Sequence, residues 1–499
     1  MAIERKSGIL LHITSLPGPY GIGTMSTEAR RFIDFLAEAK QKIWQILPLG
    51  PTGYGDSPYQ SFSTFAGNPL LIDFEQLVHK GWLPGAELGG APGNDKFVDF
   101  GPVIDFKFKK LWTAYQGFME ASTRKDKIRF AEFCANRHWL HDYALFMELK
   151  NYHQGKPWYQ WGEPYKFRHA EALQQFAHEH ETAVNFWKFL QFVFFSQWSE
   201  IKSYANEKGI QIIGDIPIFI AHDSADAWSQ PEVFLFDSQR NPTHVAGVPP
   251  DYFSETGQLW GNPLYNWDYL KETQFHWWVD RIRGNLDLYD LIRIDHFRGF
   301  AAYWAVPYGE TTAINGQWVS APGRELFETI RQQLGNLPII AEDLGVITPD
   351  VEELRDHFGF PGMKVLQFAF NPMKGNEYLP HNYPHANCIC YTGTHDNNTT
   401  LGWFNDLDEE TRSNVLSYLP GGGENTVWKM IRLAWASVAA IAIAPMQDIL
   451  ELGSKARMNT PGKASGNWQW RFRSTEYDPE ITRRLRSMTE LYDRDLEAR

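Results

Sequence analysis

The chain has 499 residues, a length that fits either about three ordinary domains or one large barrel with insertions. Its hydrophobic fraction of 43% is that of a globular protein, and its 20 Trp, 21 Tyr and 34 Phe supply core bulk and flat surfaces for ligands with apolar faces. The formal net charge of -13 repels phosphate backbones and anionic lipid headgroups, which argues against nucleic acid as a partner.

Short apolar, β-branched runs recur along the chain, and each is followed by turn residues or polar groups. They begin near residues 8, 42, 210, 291, 337, 363, 388 and 441, and segments with helical periodicity lie between several of them, at 28–40, 321–335 and 425–440. Strands that alternate with helices in this way predict an α/β fold, the (β/α)8 barrel. The alternative, a doubly wound open sheet, would need a phosphate-binding glycine loop that we do not find in the sequence.

Two gaps between predicted strands are too long for simple crossovers. Residues 75–205 are rich in aromatic residues and helical patterns, and they predict a mainly helical insertion between the second and third strands. Residues 221–280 include PPDYFSETGQLWGNPLYNW (249–267), whose Pro, Gly and Asn residues predict a long loop or lid over the C-terminal face of the barrel. We therefore expect one catalytic barrel over residues 1–499 that these two insertions interrupt.

The number of cysteines and the N-terminal sequence both bear on the cellular compartment that we expect for the protein. The chain has 3 cysteines, too few and too odd a number for a disulfide framework, and Cys388 and Cys390 are predicted to be reduced, buried thiols. The N-terminal stretch MAIERKSGILLHITSLPG lacks a sustained apolar region, and the apolar stretch at 433–446 is too short to span a bilayer. We expect a cytoplasmic protein without a membrane partner.

The stretch LIRIDHFRGF (291–300) places Arg293 and Asp295 on one side of a predicted buried strand. Such a pair is costly unless it is hydrogen-bonded, and a neighbouring guanidinium favours the ionised form of Asp295. Asp215, Glu342 and Asp396 follow other predicted strands, and strand ends on this face of a barrel build active sites. Two such carboxyl groups can divide labour, one attacking while ionised and one donating a proton, although a salt bridge that only pins the barrel is the alternative.

Five stretches resemble, in this order, the amylomaltase family of 4-alpha-glucanotransferases in the alpha-amylase clan. They are GPTGYGDSPYQSFS (50–63), GDIPIFIAHDSADAW (214–228), RIDHFRG (293–299), AEDLG (341–345) and YTGTHDNN (391–398). The similarity runs from LLHITSLPGPYGIG near the start to GNWQWR (466–471), which is nearly the whole chain. The resemblance implies a retaining double displacement on α-1,4-glucans, with maltooligosaccharides, amylose and starch- or glycogen-derived glucans as partners and with no cofactor or metal.

The resemblance also implies roles for individual residues. Asp295 would be the nucleophile, Glu342 the general acid/base and Asp396 the carboxylate that binds sugar hydroxyls. Asp215 and Arg293 would form the supporting charge pair. Further residues implied to bind glucan are Tyr59, which would stack at the cleavage point, His395, Asp251, Tyr252, Phe253, Gln258, Trp260 and Asn467, with Tyr54 at a second, surface position. The sequence departs from the family pattern at His222 and Asn398, where the resemblance leads us to expect an acid.

Three other functions compete with glucan transfer. The same residues could catalyse plain hydrolysis. A non-catalytic glycan-binding barrel is usually recognisable by the loss of a key acid, and here none is lost. A metal-dependent barrel of the enolase type would want a lysine or histidine base and no arginine beside its ligand, so Arg293 counts against it.

Overall fold

The computed structural model of the protein describes residues 4–250, 254–419, 421 and 425–495. Its strands are β1 (Lys6–Leu10), β2 (Ile43–Gln45), β3 (Gln211–Pro217), β4 (His244–Val248), β5 (Gln258–Pro263), β6 (Leu291–Asp295), β7 (Ala302–Pro307), β8 (Gln317–Ser320), β9 (Ile339–Ala341), β10 (Gly362–Val365), β11 (Cys388–Tyr391) and β12 (Ile441–Pro445). Its helices are α1 (Thr27–Glu38), α2 (Phe74–His79), α3 (Phe100–Ala121), α4 (Arg124–Ala135), α5 (Leu140–Tyr152), α6 (Glu163–Lys166), α7 (Ala170–Glu179), α8 (Glu181–Glu207), α9 (Ala225–Ser229), α10 (Trp267–Glu272), α11 (His276–Leu288), α12 (Gly323–Leu334), α13 (Pro349–Phe358), α14 (Thr400–Asp406), α15 (Glu409–Tyr418), α16 (Thr426–Ala436), α17 (Met446–Ile449) and α18 (Pro479–Leu491).

The eight predicted strands form one parallel sheet in the order β10-β11-β12-β1-β2-β3-β6-β9. The sheet closes on itself, because the backbone N–H of Ala341 in β9 donates to the carbonyl of Pro361, just before β10, at 3.0 Å. The predicted (β/α)8 barrel is therefore confirmed. The helices predicted at 28–40, 321–335 and 425–440 are also confirmed, as α1, α12 and α16.

The barrel strands read as apolar runs because both of their faces are buried. One face points into the barrel, where a compact cluster includes Ile213, Ile340 and Ile389. The other face packs against the surrounding helices in a much larger core. Ile212 and Ile292 belong to that outer layer, so neighbouring residues of a strand alternate between the two cores.

The long gaps between barrel strands contain structure of their own. Helices α2 to α8 lie between β2 and β3, and the long helix α8 packs against α5. Between β3 and β6 lie three helices and the strands β4 and β5, which join β7 and β8 in an antiparallel sheet of order β5-β4-β7-β8. The division of the chain into a barrel, an insertion at 75–205 and a lid at 221–280 stays a prediction.

Strand β5 lies inside the 249–267 stretch that the sequence predicts as a loop. The sequence gives a weak strand signal here because a glycine precedes the strand, a second lies within it and a proline ends it. Both glycines, Gly257 and Gly261, have positive φ angles, of 67° and 77°. Its pairing with β4, from Val245 opposite Pro263 to Val248 opposite Gln258, is what gives the segment its form. Within the described part of the chain, no helix has the length and apolar character that crossing a membrane requires.

Candidate active site

A cleft of about 780 Å³ opens at the carboxyl ends of the barrel strands, a size within the usual range of ligand sites. Strand ends of the barrel, strand β5 of the antiparallel sheet and the segment before α6 all contribute to its walls. Its lining includes Tyr59, Tyr159, Phe219, His222, Asp223, Gln258, Trp260, Asp295, His296, His395, Asp396, Asn459 and Trp468.

A buried charge cluster lies at the base of this cleft. The strand register sets Asp215 of β3 opposite Arg293 of β6, and Asp295 is two residues further along β6. The Arg293 Nη1 donates to Asp215 Oδ2 at 2.6 Å, and its Nη2 donates to Asp295 Oδ1 at 2.9 Å. Asp215 is fully buried, whereas the Asp295 side chain is 31% exposed. The inner carboxylate thus anchors the arginine, and the outer one faces the cleft.

The guanidinium holds a fixed positive charge beside Asp295. Burial alone would lower the pKa of Arg293, but the carboxylates of Asp215 and Asp295 raise it well above its ordinary value. The remaining donor of the group, Nε, contacts the sulfur of Met363 at 3.4 Å. A cation fixed in this way favours the ionised form of its carboxylate neighbour.

Tyr59 connects the charge cluster to the loop after β11. Its hydroxyl donates to Asp215 Oδ2 at 2.7 Å, and its ring stacks on that of His395 with centroids 5.2 Å apart. Burial and the nearby charge of Asp215 raise the pKa of Tyr59 well above its ordinary value. The hydroxyl therefore stays protonated and keeps its hydrogen bond.

Glu342 follows β9 directly and lies next to the end of β6. Its Oε2 accepts from the backbone N–H of His296 at 2.6 Å, and its Oε1 accepts from that of Leu344 at 3.0 Å. His296 has a left-handed backbone (φ 54°) where the chain turns out of β6, a conformation that non-glycine residues seldom adopt. Burial and the charge of Asp295 raise the pKa of Glu342 to about 8. At neutral pH this carboxyl group is mostly protonated and can donate.

Asp396 lies in the loop after β11, with its side chain 42% exposed. Its Oδ1 accepts from Asn459 Nδ2 at 2.6 Å, and its Oδ2 is 3.3 Å from His395 Nε2. Arg457 donates to its backbone carbonyl at 2.6 Å. The carboxylate is thus held from two sides and still opens to the cleft.

The remaining predicted residues lie in different places. Gln258 and Trp260 of β5 line the cleft, and the Trp260 ring is edge-on to His296 with centroids 4.8 Å apart. The side chain of Asn467 is instead hydrogen-bonded within its own loop. Its Oδ1 accepts from Thr460 N at 2.9 Å, and its Nδ2 donates to the Lys463 carbonyl at 2.8 Å. Asp251, Tyr252 and Phe253 lie outside the described residues, as does the side chain of Tyr54.

The structure brings residues to the cleft that the sequence did not single out. Asn459 and Trp468 flank a loop near the end of the chain, and Tyr159 comes from the segment between α5 and α6. No periodicity marks these positions, and only the chain path carries them to the cleft. Among the described residues, no group of three or more His, Cys, Asp or Glu side chains is placed to hold a metal ion.

Comparisons with known proteins show the family to which the chain is similar. A family model described as 4-alpha-glucanotransferase matches residues 11–476. The 4-alpha-glucanotransferase of Synechocystis sp. is 52% identical over 499 residues and is covered to 99% in both chains. That of Thermus thermophilus is 50% identical, with 99% of this chain and 100% of its own covered.

Solved structures of amylomaltases have the same fold as this chain. The amylomaltase from Streptococcus agalactiae in complex with acarbose superposes with a TM-score of 0.96 at 42% identity, covering 98% of this chain and 100% of its own. The amylomaltase from Corynebacterium glutamicum has a TM-score of 0.78 at 19% identity, covering 98% of this chain and 74% of its own, and shares the fold.

Proposed function

The chain belongs to the 4-alpha-glucanotransferase family, and from this premise we propose the reaction that its cleft performs. The enzyme cleaves an α-1,4 glucosidic bond with retention and transfers the glucan fragment to the 4-hydroxyl of another glucan or of glucose. One observation carries the proposal: Asp295 and Glu342 lie at neighbouring strand ends in opposite electrostatic environments. Asp295 faces a guanidinium at 2.9 Å, while Glu342 has a pKa raised to about 8 by burial and by Asp295 itself.

The first step forms a covalent intermediate. The Asp295 carboxylate attacks the anomeric carbon, and the bonding electrons of the glucosidic C–O bond pass to the leaving oxygen, which takes the proton of Glu342. Asp396, with His395 beside it, binds hydroxyls of the same sugar, and these bonds strengthen as the ring approaches an oxocarbenium ion. The product is a glucosyl ester on Asp295 and an ionised Glu342.

The second step reverses these roles with a new acceptor. The Glu342 carboxylate takes the proton of an acceptor 4-hydroxyl while that oxygen attacks the anomeric carbon and the ester bond to Asp295 breaks. The α-1,4 linkage is thereby restored on a different glucan, and both carboxyl groups return to their starting states. Water in place of the acceptor would give hydrolysis, which is the competing outcome. The substrates are maltooligosaccharides, amylose and glucans derived from starch or glycogen, and we propose the cytoplasm as the compartment, in keeping with three free cysteines.

Incubation with maltotriose as sole substrate tests this function. Glucose plus a ladder of longer oligomers is the expected result. Glucose and maltose alone would mean hydrolysis, and unchanged maltotriose would favour a binding module. The same incubation with EDTA should give the same ladder, whereas loss of activity would favour a metal-dependent barrel.

A further inference from the structure

One wall of the cleft comes from outside the barrel. Pro157 and Tyr159, from the segment between α5 and α6, line the cleft together with His222 and Asp223, which follow β3. We call these four residues the insertion wall. The chain after β3 runs along the cleft from Pro217, the partner of Asp295 in the strand register, to Asp223. The insertion wall therefore continues the surface on which the reacting sugar lies.

The insertion wall is tied firmly to the barrel. Trp158 donates from Nε1 to the His222 carbonyl at 2.7 Å and from its backbone N–H to Asp223 Oδ1 at 3.2 Å. Lys150 of α5 pairs with the other oxygen of Asp223 at 2.5 Å. Three contacts thus join the inserted chain to the loop after β3, and two of them are made by Trp158, the neighbour of Tyr159 in the chain.

The Tyr159 ring stacks on the His222 ring, with centroids 4.3 Å apart and planes 13° from parallel. His222 in turn packs against Phe236 and the edge of Trp158, each at 5.6 Å. Tyr59 has other ring partners, His395 and Trp468, at 5.2 and 5.8 Å. The cleft therefore contains two separate aromatic groups, one at the carboxylates and one at the insertion wall.

His222 acts as a flat support and not as a charged group. Burial lowers its pKa to about 4, so the ring is neutral at neutral pH. Its Nε2 is buried and has no hydrogen-bond partner within the described part of the chain. One face of Tyr159 is thus backed by a neutral ring while the residue itself is partly exposed in the cleft. Ser57, Gln60 and Asp223 supply polar groups in the same lining.

A partly exposed aromatic face in the same lining as hydroxyl, amide and carboxylate groups suits a sugar ring, which has apolar faces and a polar rim. We propose that Tyr159, supported by His222, is a glucose-stacking subsite that makes the enzyme prefer longer α-1,4-glucans over short ones. The proposal rests on the proposed function, because it extends the same cleft to a further sugar of the same substrate.

The test compares kcat/KM for maltoheptaose with kcat/KM for maltotriose. In Tyr159→Ala the ratio should fall by about tenfold, the factor that corresponds to 1.4 kcal/mol. Tyr159→Phe keeps the ring and should keep the ratio. His222→Ala should lower the ratio in the same direction, while His222→Phe, which preserves a flat support and removes an unsatisfied nitrogen, should restore it. Rescue by phenylalanine separates support of Tyr159 from a general loss of folding.

Tyr418 gives a matched control, because it is an exposed tyrosine that stacks on a histidine, His381, outside the cleft lining. Tyr418→Ala should leave the ratio unchanged. Calorimetric titration of the Asp295→Asn chain with maltoheptaose adds a readout without turnover, and Kd should rise by about tenfold when Tyr159→Ala is added. A wild type that makes no oligomer ladder would refute the proposed function. An active wild type whose ratio and Kd do not respond to Tyr159→Ala would refute the subsite alone.

Discussion

The two ends of the cleft are built in different ways. At the catalytic end, charged side chains sit on barrel strands and are joined by hydrogen bonds of 2.6 to 2.9 Å around Arg293. At the insertion wall, neutral rings stack at 4.3 Å on chain that the barrel does not need for closure. The barrel thus fixes charges where bonds change, while added chain supplies surface for the rest of the substrate. Changes at the first end should remove turnover, and changes at the second should alter selectivity.

The catalytic end also contains a contrast of its own. Asp295 has a cationic partner, whereas the Glu342 side chain is bonded by two backbone N–H groups and its pKa is raised to about 8 by burial and by Asp295. Two carboxyl groups on adjacent strands therefore have different electrostatic surroundings, and burial favours the protonated form of Glu342. The proposed division into an attacking and a proton-donating group depends on this difference.

The largest effect is expected for Asp295→Asn. The change removes the nucleophile's charge at nearly constant volume, so kcat should fall at least about 10³-fold while the fold and glucan binding persist. Oligomer formation from maltotriose measures kcat. Thermal unfolding measures whether the fold persists, and titration with a glucan measures whether binding persists. Residual activity within about tenfold of wild type would remove Asp295 from the assigned role.

Glu342→Gln should lower turnover of natural glucans by about 10² to 10⁴-fold, because the leaving oxygen loses its proton donor. A glucosyl donor with an activated leaving group needs no protonation and should still load Asp295, which mass spectrometry of peptides can detect. An adduct on Glu342 in the wild type, or on no carboxyl group, would contradict the division of labour.

A neighbouring acid offers a contrast to Glu342→Gln. Asp343 pairs with Arg355 at 2.5 Å and accepts from the backbone N–H of Met363 at 2.7 Å. Asp343→Asn should lower the unfolding temperature, because it removes the buried carboxylate that pairs with Arg355 and leaves that arginine with Asp356 as its charge partner. Below that temperature the variant should still turn over maltotriose, which distinguishes a carboxyl group that stabilises from one that reacts.

The pH profile should have an alkaline limb set by Glu342. Its pKa is raised to about 8, so the protonated donor is lost as pH rises through that value. Above it, kcat/KM for maltotriose should fall about tenfold per pH unit. The alkaline limb should be absent when the rate of ester formation on Asp295 is measured with a donor whose leaving group needs no protonation. A rate that stays flat from about pH 7 to about pH 10 would contradict the assignment.

The sequence could predict the catalytic end because its signals are local. An apolar run followed by an acid marks a strand end, and a parallel barrel brings strand ends together, so the pattern predicts Asp215, Asp295, Glu342 and Asp396 at one face of the barrel, while their separate roles are implied by the family resemblance. The pair of Asp215 and Arg293, which the resemblance implies, is present at 2.6 Å, but the strand register that produces it cannot be derived from the sequence of one strand.

The other parts of the cleft could not be predicted in this way. Tyr159, Asn459 and Trp468 reach it along irregular chain, where side-chain direction depends on tertiary contacts and not on a period of two or 3.6 residues. Asn467 shows the opposite case. It lies in a segment that the resemblance assigns to sugar binding, but its side chain is hydrogen-bonded within its own loop. Strand β5 forms because it pairs with β4. Its glycine and proline weaken the strand pattern in the sequence, so the pairing could not be predicted from the segment alone.

The smallest effect concerns the choice between sugar and water as acceptor. Trp260 of β5 lines the cleft, donates from Nε1 to Gln258 Oε1 at 3.2 Å and lies edge-on to His296, whose N–H holds Glu342. It therefore offers an apolar face near the residue that binds Glu342, and we expect this face to favour a sugar over water as acceptor.

Replacing Trp260 with alanine should weaken acceptor binding more than donor cleavage, and the ratio of hydrolysis to transfer should rise by about two- to tenfold, the range for losing one aromatic contact. The net gain in reducing ends, which hydrolysis produces and transfer does not, compared with the oligomer formed from maltotriose in the same incubation, gives this ratio. Trp260→Phe keeps an apolar ring and should lie between wild type and alanine. The double change Tyr252→Ala with Phe253→Ala, which the family resemblance places in the same lid, should act in the same direction. If both activities fall in equal proportion in Trp260→Ala, the strand only supports the cleft, and selectivity for sugar over water comes from the barrel end.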